Sequence, residues 1–356
     1  MNLSSYIRRI LKGDAPTPLY FFALAPFSLL YGLVVRVRAY MYRAGLLRVK
    51  TLPCRVISVG NLTAGGVGKT PMVIYLARRL AARGLKIAVL TRGYGGSLEG
   101  RTEVVSDGEQ VLQGASEAGD EAVLLANSLP GAPVVMGRDR YRAGLLAMER
   151  FGPDAVILDD GYQHMALKRD LNLLLLDAAR PFGNGFLLPV GCLREPPSAM
   201  KRADMVILTR ADASTKNDQI TKLAPSIPVI RAVHAAKSLT GLRGGEMGLE
   251  RLSGARVAAV SGIADPSSFT LILQKLNATI TRSFEYADHH VYGPGDLADI
   301  KAAVAGTGAD MAVTTKKDAV KLATLETGGL ELAVLGIEME FLDGAEALEA
   351  RLPGKT

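Results

Sequence analysis

Residues 63–70 read Thr-Ala-Gly-Gly-Val-Gly-Lys-Thr, and no other stretch narrows so far what this chain can fold into. The octet follows an apolar run, Val56-Ile57-Ser58-Val59, which reads as a buried strand. It precedes Pro71-Met72-Val73-Ile74-Tyr75-Leu76-Ala77, a helical pattern with proline near its first position. Strand, glycine-rich loop, Lys-Thr and helix form the context that makes a phosphate loop out of a short string. Backbone amides of Thr63, Ala64, Gly65, Gly66, Val67 and Gly68, with the helix N-terminus, then cradle nucleotide phosphates. Lys69 reaches the terminal phosphates, and the Thr70 hydroxyl ligates Mg²⁺. The competing reading is a tight glycine turn that binds nothing.

The loop departs from the usual pattern at Thr63, where the first glycine normally stands. Its core resembles the variant loop of partitioning-type ATPases, which carry a second lysine before the glycine pair for use across a dimer. That position is Ala64 here, which argues against a nucleotide-driven dimer switch and for a site built within one chain. No obligate protein partner is inferred.

At 356 residues the chain suits two domains, and 48% hydrophobic residues supply their cores. Cys54 and Cys192 offer neither a disulfide framework nor metal-ligand spacing, so a reducing compartment is expected. Residues 1–50 hold eight basic side chains and one acid, the whole formal excess of +7. The remaining body is balanced and has no surplus to neutralise phosphodiesters, so nucleic acid is not an expected partner.

Leu19–Val35 is uncharged over 17 residues, is interrupted by Pro26, and leads into Arg36, Arg38, Arg43 and Arg48. It reads as a helix anchored in the surface of the cytoplasmic leaflet, held by apolar burial and by anionic headgroups. A core helix and a true membrane span are the alternatives.

From residue 54 onward strand and helix alternate. Apolar runs lie at 55–60, 86–91, 132–136, 154–158, 171–176 and 204–209, with helical stretches at 71–83, 117–129 and 138–151. This predicts an α/β fold, a phosphate-loop NTPase-like parallel sheet with helices on both faces. A glycine-rich junction at 241–245 opens a second, smaller α/β region, with strands at 256–261, 280–285, 310–315 and 331–338. The organisation expected is a membrane-interacting segment 1–50, a kinase domain 51–239 and a C-terminal domain 240–356 closing a cleft.

Asp154-Ala155-Val156-Ile157-Leu158-Asp159-Asp160 is a strand ending in two carboxylates, suited to holding Mg²⁺ or its water; Asp159 is the first choice and Asp160 the second. Gln163 and His164 follow closely enough to line the same pocket. Gly119-Asp120-Glu121 opens an apolar helix, where an acid either favours the positive helix end or takes a proton from an attacking hydroxyl. Asp288-His289-His290 suits a histidine that orients a carboxylate across the cleft. Arg194 and Glu195 sit in a restricted loop, Arg194 to stabilise transferring phosphate and Glu195 to join the Mg²⁺ shell. Thr315-Lys316-Lys317-Asp318 and Thr209-Arg210-Ala211-Asp212 echo the guanine-reading motif of GTPases, a four-residue pattern common by chance.

Taken in order, these segments closely resemble the tetraacyldisaccharide 4′-kinase family of Gram-negative bacteria. The match runs from about residue 20 to 340 and includes Val59–Pro71, Arg92-Gly93-Tyr94, Gly119-Asp120-Glu121, Asp159-Asp160-Gly161-Tyr162-Gln163-His164, Leu193-Arg194-Glu195-Pro196, Asp288-His289-His290 and Thr314–Asp318. Thr63 is that family's form of the loop. The resemblance implies transfer of the ATP γ-phosphate to the 4′-hydroxyl of an acylated glucosamine disaccharide 1-phosphate, at the cytoplasmic face of the inner membrane. It implies Asp120 as general base, paired with His289 or His290. It also implies Lys69 and Arg194 on phosphates, and Thr70, Asp159 and Glu195 at the metal. The alternative class is a nucleotide-switch ATPase or GTPase of the partitioning or metal-insertion type.

Overall fold

The computed structural model describes Ile10, Asp14 and residues 16–354 except Ala213, Lys216 and Asn217. Three of the N-terminal basic residues, Arg8, Arg9 and Lys12, lie outside the described residues.

Among the described residues, twelve strands form one twisted sheet in the order β10-β9-β11-β12-β8-β7-β6-β1-β5-β2-β4-β3. One half comprises β1 (Arg55–Asn61), β2 (Ile87–Thr91), β3 (Glu103–Ser106), β4 (Val134–Met136), β5 (Ala155–Leu158), β6 (Leu171–Asp177) and β7 (Met205–Thr209). The other half comprises β8 (Val229–Gly241), β9 (Arg256–Ser261), β10 (Thr279–Glu285), β11 (Met311–Thr315) and β12 (Leu332–Phe341). Neighbours pair in parallel except β3 with β4 and β12 with β8. Parallel strands covered on both faces become continuous apolar runs, and β1 is buried at every position after Arg55.

Alternation along β1 divides its side chains between two cores. Ile57 and Val59 pack with Met72, Val73, Leu76 and Leu80 of the helix Lys69–Ala82. Val56 turns to the opposite face, against Ala143 and Ala147 of the helix Arg140–Phe151. Asp139 caps that second helix by accepting from Tyr141 N at 2.9 Å, worth about 1 kcal/mol.

The two halves meet on β8. Its first residues pair in parallel with β7 at Val229–Arg231, and from Ala232 it runs antiparallel to β12. The sequence reading placed no strand here, because β8 is half-exposed with Arg231, His234 and Lys237 interrupting its apolar pattern. Nor did it find β3, a four-residue edge strand. The expected helix over 117–129 is two pieces, Ala115–Ala118 and Asp120–Ser128, broken at Gly119.

The helix Pro18–Arg43 extends eight residues beyond the uncharged stretch and buries only Gly32. It is therefore not a core helix. Leu19, Phe22, Leu29, Leu30, Leu33 and Val34 are exposed, and by length and composition the helix is able to cross a membrane.

Candidate active site

Parallel strands deliver their C-terminal tips to one edge, and the polar clusters collect there. The phosphate loop leaves β1 at Asn61. Asn61 Nδ2 donates to the Thr63 carbonyl at 2.6 Å, while Asn61 Oδ1 accepts from Lys69 Nζ at 3.2 Å. A second loop buttresses the first: Ala64 N donates to Cys192 O at 2.6 Å, and Arg194 N to Leu62 O at 2.7 Å. That pairing delivers Arg194 to the phosphate loop. Gly68 has φ 84°, and a Cβ there would lie 2.1 Å from His234 Nε2, so both backbone and space demand glycine.

Lys69, Asp160 and Arg194 come together. Arg194 NH1 donates to both Asp160 oxygens at 2.9 and 2.7 Å, and Lys69 Nζ lies 3.4 Å from Asp160 Oδ1. Burial alone would raise the Asp160 carboxyl, but these two cations hold it well below the ordinary value. Asp159 is set differently. Burial pushes its carboxyl up, and Glu121 and Asp160 add to the shift against Lys69 and Arg140. Its Oδ1 is buried without a hydrogen-bond partner.

Gln163 turns its amide to Asn61 O at 2.8 Å, at the root of the phosphate loop. Glu195 is not among the loop residues' contacts: both its oxygens are taken by Arg202, at 2.7 and 2.8 Å. Among the described residues, no group of three or more His, Cys, Asp or Glu side chains is gathered as a metal cage.

The Asp120 cluster is assembled from both halves of the sheet. Gly119, at φ 86°, passes so close to Tyr94 that a Cβ would lie 2.3 Å from its carbonyl oxygen. This break starts a new helix whose first residue, Asp120, is buried at 5% exposure. His289 reaches it from the loop after β10, with Nδ1 2.9 Å from Asp120 Oδ1 and 3.2 Å from Oδ2. Lys321 Nζ donates to Asp120 Oδ2 at 3.1 Å. Burial would raise the Asp120 carboxyl, but the His289 hydrogen bond and the charges of Lys317, His289 and Lys321 hold it below its usual range. The same hydrogen bond raises the His289 imidazole.

Of the two adjacent histidines, only His289 contacts Asp120. His290 pairs with Asp296 at 3.1 Å and stacks on Tyr286 at 4.4 Å. The two diverge because His289 adopts φ 61°, a left-handed conformation rare outside glycine. Non-glycine residues in that region among those described are Asp160, Arg210, Asn277 and His289, and all but Asn277 lie at this edge of the sheet. Strained backbone concentrates where a site requires it.

Sequence reasoning missed Lys317 and Lys321. Lys317 bridges Glu121 at 3.0 Å and Asp288 at 2.9 Å, and this joins the halves beside Asp120. Both lysines belong to or follow the Thr315–Asp318 run, which carried the only available signal. Asp318 itself is fully buried, accepting from Gly262 N at 3.0 Å and Thr315 Oγ1 at 2.7 Å. It therefore ties two loops together.

The sequence profile of tetraacyldisaccharide-1-P 4′-kinase matches residues 20–355. A tetraacyldisaccharide 4′-kinase of Geobacter metallireducens is 49% identical, covering 90% of this chain and 94% of its own. One from Geobacter sulfurreducens is 48% identical over 99% of both. The crystal structure of "apo" form LpxK from Aquifex aeolicus in complex with ATP superposes with a TM-score of 0.76 at 33% identity, covering 92% of this chain and 97% of that one. With a profile spanning nearly every residue and relatives alike from end to end, the chain belongs to the tetraacyldisaccharide-1-P 4′-kinase family.

Proposed function

We propose that this chain transfers the γ-phosphate of ATP to the 4′-hydroxyl of a tetraacyldisaccharide 1-phosphate. Family membership supports the reaction, and one observation carries the assignment of roles: the buried Asp120 carboxylate paired with His289 at the same edge of the sheet as the phosphate loop. Asp120 accepts the proton of the attacking 4′-hydroxyl, and His289 orients it and balances its charge. Lys69 and Arg194 are cations held on Asp160 that transfer to incoming phosphate oxygens.

Mg²⁺ fits the oxygen donors of Thr70 and Asp159, since Asp159 Oδ1 is buried and unpartnered. Asp160 reaches that shell only by giving up Lys69 and Arg194, and Glu195 only by giving up Arg202. Bound there, Mg²⁺ offsets charge on the phosphates.

The N-terminal helix works at the cytoplasmic face of the inner membrane, with its apolar side in lipid and Arg36, Arg38 and Arg43 on anionic headgroups. It also touches the site, since Tyr31 Oη donates to Arg194 O at 2.8 Å and Arg38 to Gln163 O at 2.9 Å. Residues 51–239 act as the kinase domain and 240–356 as the domain closing the cleft over it. Incubation with ATP, Mg²⁺ and the tetraacyl disaccharide 1-phosphate tests the reading. The expected product is lipid one phosphate heavier, formed with ADP; ATP hydrolysis that leaves the lipid unchanged contradicts it.

A further inference from the structure

Arg210 stands at the tip of β7, in the Thr209–Asp212 run whose sequence match had no assigned use. Its guanidinium serves three elements. NH2 donates to Gly66 O in the phosphate loop at 2.8 Å, NH1 pairs with Asp177 at the tip of β6 at 2.5 Å, and Asp265, in the loop after β9, lies 3.3 Å from NH1. Its backbone is left-handed at φ 55°.

A phosphate loop works by turning amides inward, which turns carbonyls outward. Water can satisfy an outward carbonyl on this exposed loop, but only a protein donor fixes its direction, and a loop free to flip it loses an amide from the phosphate side. Gly65 and Gly66 lack the side chains that would stiffen this stretch themselves. Arg210 provides the donor from a neighbouring strand. It also pairs with two carboxylates from opposite halves of the sheet, which fixes the guanidinium in place.

We infer that Arg210 is a positioning residue for polyphosphate binding, holding the loop in its phosphate-ready shape through the Gly66 carbonyl without touching phosphate. This rests on the kinase reading only in taking the loop to bind a polyphosphate.

The test uses the full chain and calorimetric titration with inorganic tripolyphosphate, beside ATP KM, kcat and thermal unfolding, for Arg210→Ala and Arg210→Lys. Arg210→Ala is expected to weaken tripolyphosphate and raise ATP KM together by about tenfold, with kcat at saturating ATP within about threefold. Lysine offers one ammonium in place of the two-armed guanidinium that serves Gly66 and Asp177 separately, so Arg210→Lys is expected to lose at least about threefold in both. If the alanine variant does not fold, the lysine variant decides. Wild-type tripolyphosphate affinity in a folded Arg210→Lys overturns the role of Arg210. Wild-type protein that binds no tripolyphosphate counts against the phosphate loop itself.

Discussion

Around β1, the charged groups at the strand tips find their partners within the same half of the sheet. Lys69 and Arg194 hold Asp160, Arg202 holds Glu195, and Arg140 donates to the Asp159 carbonyl at 3.1 Å. Beyond β8 the pattern is different. His289, Lys317 and Lys321 send their charges across to Asp120 and Glu121. The direct phosphate grip comes from one half, braced from the other only through Asp265 on Arg210, whereas the proposed proton acceptor exists in its tuned form only where the halves touch. Variants in the first region should therefore damage nucleotide binding, and variants in the second should damage turnover with nucleotide still bound.

The largest separation is expected from Lys69→Ala. Removing the cation from the transferred phosphate should lower turnover by about 10³-fold and also weaken ATP. Parallel kinetics and ATP titration check both, and retained ATP affinity with retained rate would blur the contrast.

His289→Ala should lower kcat by about 10- to 100-fold with ATP affinity unchanged, the range in which losing a supporting group of the proton acceptor falls. His290→Ala, whose partner is Asp296, should stay within about threefold. Equal losses from both would break the distinction between these neighbours.

Asp159→Asn is expected to raise the Mg²⁺ concentration needed for half-maximal activity by about tenfold, read from a metal titration at fixed ATP. No change in that midpoint would remove Asp159 from the metal site.

The last contrast is in stability against pH, and here two histidines have opposite signs. Burial and Arg210 push His234 down to about 4. The unfolded chain takes up its proton near 6.5 while the native one refuses it, so stability falls as pH drops from about 6.5 toward 4, by up to about 3 kcal/mol. His289 is raised by Asp120, so its contribution is full below its ordinary value and is lost as pH rises through the folded-state value. Urea midpoints across pH should lose their acid-side slope in His234→Gln and their alkaline-side slope in His289→Gln. Identical pH profiles for wild type and both variants would show that these environments differ from the ones described.

The same contrast explains what could be read from the sequence. The phosphate loop, the Asp159-Asp160 strand tip and the individual strands around β1 follow from contiguous motifs and apolar runs, so local sequence is enough to place them. Asp120 and His289 are 169 residues apart, and only the family resemblance paired that acid with the Asp-His-His run. Choosing His289 over His290 depends on one left-handed φ, which neighbouring residue types do not encode. Lys321 reaches Asp120 because a helix begins at the tip of β11, a placement made by the sheet. The strand β8 passes from one half to the other at partial exposure, which erases the alternation that marks strands elsewhere.

The decisive measurement is lipid phosphorylation by Asp120→Asn, followed by mass spectrometry, with ATP affinity titrated on the same preparation. The account predicts a turnover at least about 100-fold below wild type and an unchanged ATP dissociation constant. Wild-type turnover, or a loss of rate fully matched by a loss of ATP binding, would contradict it.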